Sequence, residues 1–283
     1  MVNKTPRQGK IRLTRRGRVA LIATGAVVIG AAVAVPLLRD DGNGRPEALL
    51  IPEGWRSGQV YSAVDKALGV PEGTAKKAAG TAGLKLPGES GGNPEGYFFP
   101  ATYPIGGQST PASVLSYMVD TANKKFGAGH VAAGAGRNAV SVYQTVTIAS
   151  IVQAEAETEQ DMGKVARVVY NRLDRGMPLQ MDSTINYALN RSTLDTKNTD
   201  TKINSPYNTY EKTGLPPTPI ANPGDDAMKA ALNPTPGDWL YFVTVKPGDT
   251  RFSADYEQHG RNVEEFNRGR KDAQGSQQAT ASG

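Results

Sequence analysis

The sequence predicts an α+β protein in which a single N-terminal transmembrane helix precedes a mixed helical and antiparallel-sheet body. Three observations carry that reading. Val19 to Leu38 (VALIATGAVVIGAAVAVPLL) is a run without a charged residue. The body then holds several stretches with apolar residues at helical spacing. Near its end, Trp239 to Val245 (WLYFVTV) reaches Pro247-Gly248-Asp249 and turns toward Arg251-Phe252-Ser253, the pattern of a hairpin.

In chain order, residues 1–18 form a basic arm with seven Lys and Arg and no acid. The uncharged run 19–38 spans ~30 Å at ~1.5 Å per residue, the thickness of a bilayer core. Arg15, Arg16 and Arg18 before it place the arm in the cytoplasm and the rest outside. A cleaved signal peptide with Ala32-Val33-Ala34 as its cleavage motif is the competing reading, and it exports the body equally. A buried soluble helix suits the run less well, because no polar face interrupts it. Residues 39–48 read as a linker and 49–110 as an N-terminal subdomain. There Ala48 to Ile51 looks like a short strand, and Ser57 is placed to cap a helix bearing Val60, Val64 and Leu68 and ending at Gly69.

Gly80 to Pro94 reads as a loop. Thr110-Pro111 opens a helix with Leu115, Met118, Ala122 and Phe126 on one face, and Gly127 to Arg137 reads as a flexible connection. Val142, Val146, Ala149 and Val152 continue at helical spacing toward Glu155. A further helix with Val165, Val168, Val169 and Leu173 stops at Arg175-Gly176, before Pro178. Tyr256 to Arg268 closes the body as a helix stopped by Gly269, and 269–283 reads as a disordered tail.

Composition excludes several classes. The formal charge is +5. With the arm set apart, 25 bases face 27 acids, so the body is slightly acidic and a nucleic-acid footprint on it is not expected. Without cysteine there is no disulfide framework, thiolate zinc site or Cys nucleophile. Two histidines leave a His-rich metal site improbable, although an all-carboxylate calcium site stays open.

Gly88-Glu89-Ser90-Gly91-Gly92 matches G-x-S-x-G, but no strand precedes it and no helix follows, so it lacks the setting of a nucleophile elbow. Glu155 continues the apolar stripe of Ile148, Ile151 and Val152. A carboxyl there is partly desolvated, which raises its pKa toward that of a general acid. Periodicity alone equally allows an ordinary surface carboxylate. Downstream, Leu179-Gln180-Met181-Asp182-Ser183-Thr184-Ile185-Asn186-Tyr187 and Ser205-Pro206-Tyr207-Asn208-Thr209-Tyr210 are dense in amides, hydroxyls and rings. Such groups suit a sugar site; they also suit ordinary turns.

Taken together, Ile51 to Trp55 (IPEGW), Glu95 to Pro100 (EGYFFP), Ile148 to Glu155 (IASIVQAE), Asn171-Arg172-Leu173, Leu179-Gln180 with Asp182, Ser205 to Tyr210, Gly214 to Pro217, Asn222-Pro223-Gly224 and Leu240 to Val243 resemble the YceG-like family of endolytic murein transglycosylases, in order from about residue 49 to 268. The resemblance implies a catalytic domain over 111–268 and transfers the family's catalytic glutamate, the second acid of its A-S-I-V-E-x-E pattern, to Glu155; the first acid is Gln153 here. Ala101, Ser183, Thr218 and Thr250 also depart from the usual residues. A LysM-like segment common ahead of the catalytic body is not expected, because only the linker 39–48 stands in its place.

By resemblance the substrate is the peptidoglycan strand, cut within its length at the MurNAc-GlcNAc β-1,4 bond to leave 1,6-anhydro ends. Gln180, Asp182, Tyr187, Asn208 and Tyr210 are the candidates for holding sugar or orienting Glu155, with Glu95 a secondary one. No metal or organic cofactor is called for. Implied partners are glycan strands, the membrane and penicillin-binding synthases, with no nucleic acid. A hydrolase using Glu155 as acid and Asp182 as base, and a catalytically weak glycan-binding scaffold for cell-wall synthases, are the rival readings.

Overall fold

The computed structural model describes residues 48–191 and 199–281, with side chains to 270. The expected arm and membrane helix lie outside the described residues, as does all but the last residue of the expected linker. Among the described residues no helix is long and apolar enough to cross a membrane. What is described is an α+β body of helices and two antiparallel two-stranded sheets.

The first part is a β-α-α-β unit. Strand β1 (Ala48–Leu50) pairs antiparallel with β2 (Thr102–Pro104), setting Leu49 opposite Tyr103. Between them run α1 (Ser57–Leu68) and α2 (Thr74–Thr81). Helix α3 (Pro111–Phe126) packs against both, and its Thr110-Ser113 capping box and Pro at the first turn follow the sequence expectation. Leu49, Val60, Val64, Phe98, Leu115 and Met118 are wholly buried in the core these elements share. Each contributes ~1.5–3 kcal/mol through the area it removes from water.

Helix α1 departs from the sequence reading at its start. Arg56 is the N-cap, and Ser57 is the first helical residue. The Ser57 N–H, one of the donors a helix start leaves unpaired, is taken at 2.9 Å by the Glu95 carboxylate. A side chain distant in sequence does the work expected of a local cap.

The second core surrounds α5 (Val142–Glu155), which is buried over most of its circumference: Val146, Ile148, Ala149, Ile151 and Val152 are wholly inside. Helices α6 (Glu159–Asp174) and α8 (Asp225–Leu232) pack on it. Between α3 and α5 lies α4 (Gly129–Arg137), where the sequence suggests a flexible connection; burial of Val131 and Ala135 outweighs the helix cost of its glycines. Short α7 (Asp182–Ala188) and α8 have too few periodic residues to be read from sequence. The hairpin β3 (Tyr241–Lys246) and β4 (Asp249–Ser253) forms as expected around Gly248, at φ 77°. Helix α9 (Tyr256–Ala281) corrects the expected stop: Gly269 lies within it and the backbone stays helical through most of what reads as a disordered tail. An isolated glycine costs a helix only ~1 kcal/mol, and no proline follows it.

Three family-like loops are sewn together by Asn222, which is fully buried. Its Oδ1 accepts from the Phe98 N–H at 2.8 Å, its Nδ2 donates to the Trp55 carbonyl at 2.7 Å, and its own carbonyl accepts from Gly54 at 2.8 Å. Gly96 (φ 83°) lets the 95–100 loop press on Pro219, whose Cβ would lie 2.5 Å from any Cβ at position 96. Replacing Asn222 by Ala leaves the buried Phe98 N–H without its acceptor. We expect Asn222→Ala to cost about 2–4 kcal/mol in a denaturant-unfolding experiment.

Candidate active site

Glu155 is the last residue of α5, and Ala156 leaves the helix in an extended conformation (φ −137°, ψ 141°). That turn puts the half-buried carboxyl at the negative end of the helix dipole, where added negative charge is disfavoured. The Ser183 N–H, in the first turn of α7, donates to its Oε1 at 3.2 Å. The Ser183 hydroxyl is buried beside it. Burial pushes the Glu155 pKa above the ordinary carboxylate value, and the charge of Asp182 adds to the rise; Ser183 pulls in the opposite direction without cancelling it. Glu155 is thus a carboxyl whose acid form is favoured by its surroundings, with a hydrogen-bond donor fixing one oxygen.

The neighbours are held from the rear. Asp182 accepts a hydrogen bond from the Tyr210 hydroxyl. Tyr210 is set by its own N–H, which donates to Asn208 Oδ1 at 3.0 Å. Asn208 is fully buried, and its Nδ2 donates to the carbonyls of Thr201 and Ile203. Its side chain is spent on the backbone of its own loop, which places Asn208 behind Tyr210. Thr209 extends the frame: its carbonyl takes the Gln180 N–H at 2.8 Å and its hydroxyl oxygen takes the Met181 N–H at 3.0 Å.

Gln180 is exposed with a left-handed backbone (φ 51°), a conformation that non-glycine residues adopt at a cost. Arg172 holds it there. The buried guanidinium donates to the carbonyls of Leu240, Pro178 and Leu179 and, at 3.1 Å, to Gln180 Oε1. Sequence reading saw Arg172 only as part of an Asn-Arg-Leu match; its signal is an arginine on the buried face of an amphipathic helix. Ser183, Thr209 and Asn222 left no comparable mark.

Tyr187 and Glu95 form a second cluster, one helical turn beyond Ser183 on α7. The Tyr187 hydroxyl donates to Glu95 Oε2 at 3.3 Å, the Arg56 guanidinium lies 5.2 Å above its ring, and Tyr207 packs 4.9 Å from it. Glu95 is itself buried, and desolvation raises its pKa despite the Ser57 and Tyr187 hydrogen bonds. Of the expected residues, then, Glu155, Asp182 and Tyr210 converge, Asn208 stands behind Tyr210, Gln180 is held by Arg172, and Tyr187 with Glu95 ties α7 to α1. Ser90, in a 3₁₀ turn (Gly88–Ser90) and buried, bonds Gly92 through its hydroxyl oxygen and is no exposed nucleophile.

Residues 29–265 match the YceG-like family. The chain is 38% identical over 173 residues to an endolytic murein transglycosylase of Bacillus subtilis (strain 168), an alignment covering 61% of this chain and 48% of the relative. It is 38% identical over 177 residues to an endolytic murein transglycosylase of Streptococcus pneumoniae serotype 2, covering 60% and 32%. The aligned part thus spans about half or a third of these curated relatives. The crystal structure of a YceG-like protein from Listeria monocytogenes superposes with a TM-score of 0.66 at 29% identity, covering 76% of this chain and 74% of that one.

A carboxyl whose folded pKa is raised binds its proton more tightly in the folded state. Its contribution is fully present below the unfolded value and is lost as pH rises through the folded one. Because the shift is upward, ionising Glu155 costs the folded state a penalty that Gln lacks. Glu155→Gln should therefore melt above the parent protein at pH 7, with the gap closing as pH falls to about 4. Arg172→Lys, which lacks the planar fork for four acceptors, should cost about 2–4 kcal/mol in thermal unfolding.

Proposed function

The chain belongs to the YceG-like family, and from that premise we propose that it is a membrane-anchored endolytic lytic transglycosylase, with residues 39–283 outside the cytoplasm and penicillin-binding synthases as partners. Its substrate is the peptidoglycan strand, cut at internal MurNAc-GlcNAc β-1,4 bonds. The observation that carries the reading is Glu155, its pKa raised by burial at the end of α5 and one oxygen aligned by the Ser183 N–H.

In the proposed reaction Glu155 gives its proton to the glycosidic oxygen as the bond from that oxygen to MurNAc C1 breaks. The MurNAc C6 hydroxyl then attacks C1 and returns a proton to the Glu155 carboxylate. The products are a free GlcNAc hydroxyl and a 1,6-anhydro ring, with no water consumed and the enzyme restored. One residue serves as acid and then as base, and its raised pKa suits both roles. Asp182 and Tyr210 beside the acid, and exposed Gln180, are the groups proposed to meet sugar hydroxyls.

The Asp182 charge close to Glu155 favours a second reading, a hydrolase in which Asp182 activates water. The products separate the two: mass spectrometry of digested glycan strands gives anhydro ends for the transglycosylase and reducing ends for the hydrolase. Glu155→Gln should lower the cleavage rate by about 10²–10⁴-fold while binding to glycan persists. A variant that cuts at the parent rate would sink the assignment of Glu155, and absence of any cutting by the parent would favour the scaffold.

A further inference from the structure

The start of α7 has no local cap. Its N-cap residue, Met181, brings no side-chain acceptor, so the N–H groups of the first turn need one from elsewhere. The Ser183 N–H finds it 28 residues back in the chain, at Glu155 Oε1. The Ser183 hydroxyl is buried against the same carboxyl, and among the described residues no other group in hydrogen-bond geometry claims it. One residue thus brings both of its donors to one acid.

The residues around Ser183 keep those donors in place. The Met181 N–H donates to the Thr209 hydroxyl oxygen at 3.0 Å. The Thr184 hydroxyl bonds the Met181 carbonyl at 2.7 Å and the Thr209 hydroxyl at 2.8 Å. Asp182 accepts from the Tyr210 hydroxyl. Positions 181, 182 and 184 are all tied down, so Ser183 cannot swing away from Glu155 without breaking them.

The two donors act against everything else near the acid. Burial, and then the Asp182 charge, favour the protonated form of Glu155; the Ser183 hydroxyl and N–H favour the carboxylate. Tyr210, facing the acid from the 205–210 loop, keeps its own proton, because burial and Asp182 raise its pKa. Glu157 and Glu159, next along the chain, are exposed, and Asp225 and Asp226 at the start of α8 act on Glu53. A residue that serves first as acid and then as base has to pass through the carboxylate. A buried carboxylate without donors is costly, and donors fixed in advance lower that cost as the charge develops. A hydrogen bond to the carboxylate is also stronger than one to the neutral acid, so the gain falls on the reacting state and not on the resting one.

We propose that Ser183 is a positioning residue for proton transfer, its N–H and hydroxyl together holding the Glu155 carboxylate between loss of the proton to the glycosidic oxygen and its return from the MurNAc C6 hydroxyl. Ser183 keeps both of its own hydrogens throughout, so the proton balance of the cleavage is unchanged. The proposal rests on Glu155 as the acid of that reaction.

The test uses the full chain in detergent, labelled with ¹³C at the glutamate side-chain carboxyls, with Glu155 assigned by the resonance missing in Glu155→Gln. Ser183→Ala removes the hydroxyl and keeps the N–H. Ser183→Pro removes both, in a first helical turn where proline is tolerated. Ser183→Thr keeps both. The Glu155 titration midpoint should rise by about 0.5–1 pH unit in the Ala variant, further in the Pro variant, and stay at the parent position in the Thr variant. In cleavage of glycan strands the Ala variant should lose roughly three- to thirtyfold in kcat at unchanged KM, with the alkaline limb of its pH–rate profile moved up alongside the midpoint. An unmoved or lowered midpoint in Ser183→Ala overturns the proposal, as does a raised midpoint with kcat at the parent level. The titration needs no substrate, so the two readings fail separately: reducing ends or no cutting by the parent removes the transglycosylase, and a midpoint indifferent to Ser183 removes the role of Ser183.

Discussion

The site depends on a helix that is buried on nearly every side. Most helices of a soluble body spend one face on the core and one on water. Helix α5 has Val146, Ile148, Ala149, Ile151 and Val152 wholly inside, and turns even its Thr145, Thr147 and Ser150 hydroxyls inward onto helix carbonyls. Such a helix cannot rotate or slide without opening cavities, and each cavity costs energy in proportion to its volume. Whatever stands at its end is therefore held by the whole second core. Glu155 stands there, and its elevated proton affinity follows from its position on that axle.

The surrounding loops contain little regular structure, and buried polar side chains take the part that strands play in other proteins. Arg172 gathers the carbonyls of Leu240, Pro178 and Leu179 with the Gln180 side chain. Asn222 joins the loops at Gly54, Trp55 and Phe98. Ser150 takes the Ile220 N–H at 3.0 Å, and Gln153 takes the Gly224 N–H at 2.9 Å. These last two anchor the 214–224 stretch along α5. The closeness is absolute at Gly224, where a Cβ would fall 1.9 Å from the Glu53 carboxyl carbon. Gln153, which stands where the family pattern has its first acid, is thus a structural acceptor.

This division explains what the sequence reveals. The stripe leading to Glu155, the Thr110-Pro111 start, the stop at Gly176 and the hairpin around Gly248 are all local signals, and the structure bears them out. Helix α4 hides behind its glycines, α7 and α8 are too short for a period, and the α9 overrun reflects how little one glycine costs. Site residues divide similarly. Glu155 declares itself as a carboxylate on an apolar stripe. Asn208 looks like a sugar ligand because amides serve both purposes, and only its complete burial decides between them. Glu95 as a remote cap for Ser57 leaves no trace in spacing, since its partner lies 38 residues away.

The same axle links two regions of different chemistry. At its C-terminal end burial raises the proton affinity of a single carboxyl, Glu155. Toward its N-terminal end a cleft has Glu89 and Asp174 exposed in its wall. Solvent exposure alone separates these roles, with no change of residue class. A rigid helix between them fixes their spacing. The chain's charge is likewise divided, with seven bases and no acid in residues 1–18 and 25 bases against 27 acids in the rest.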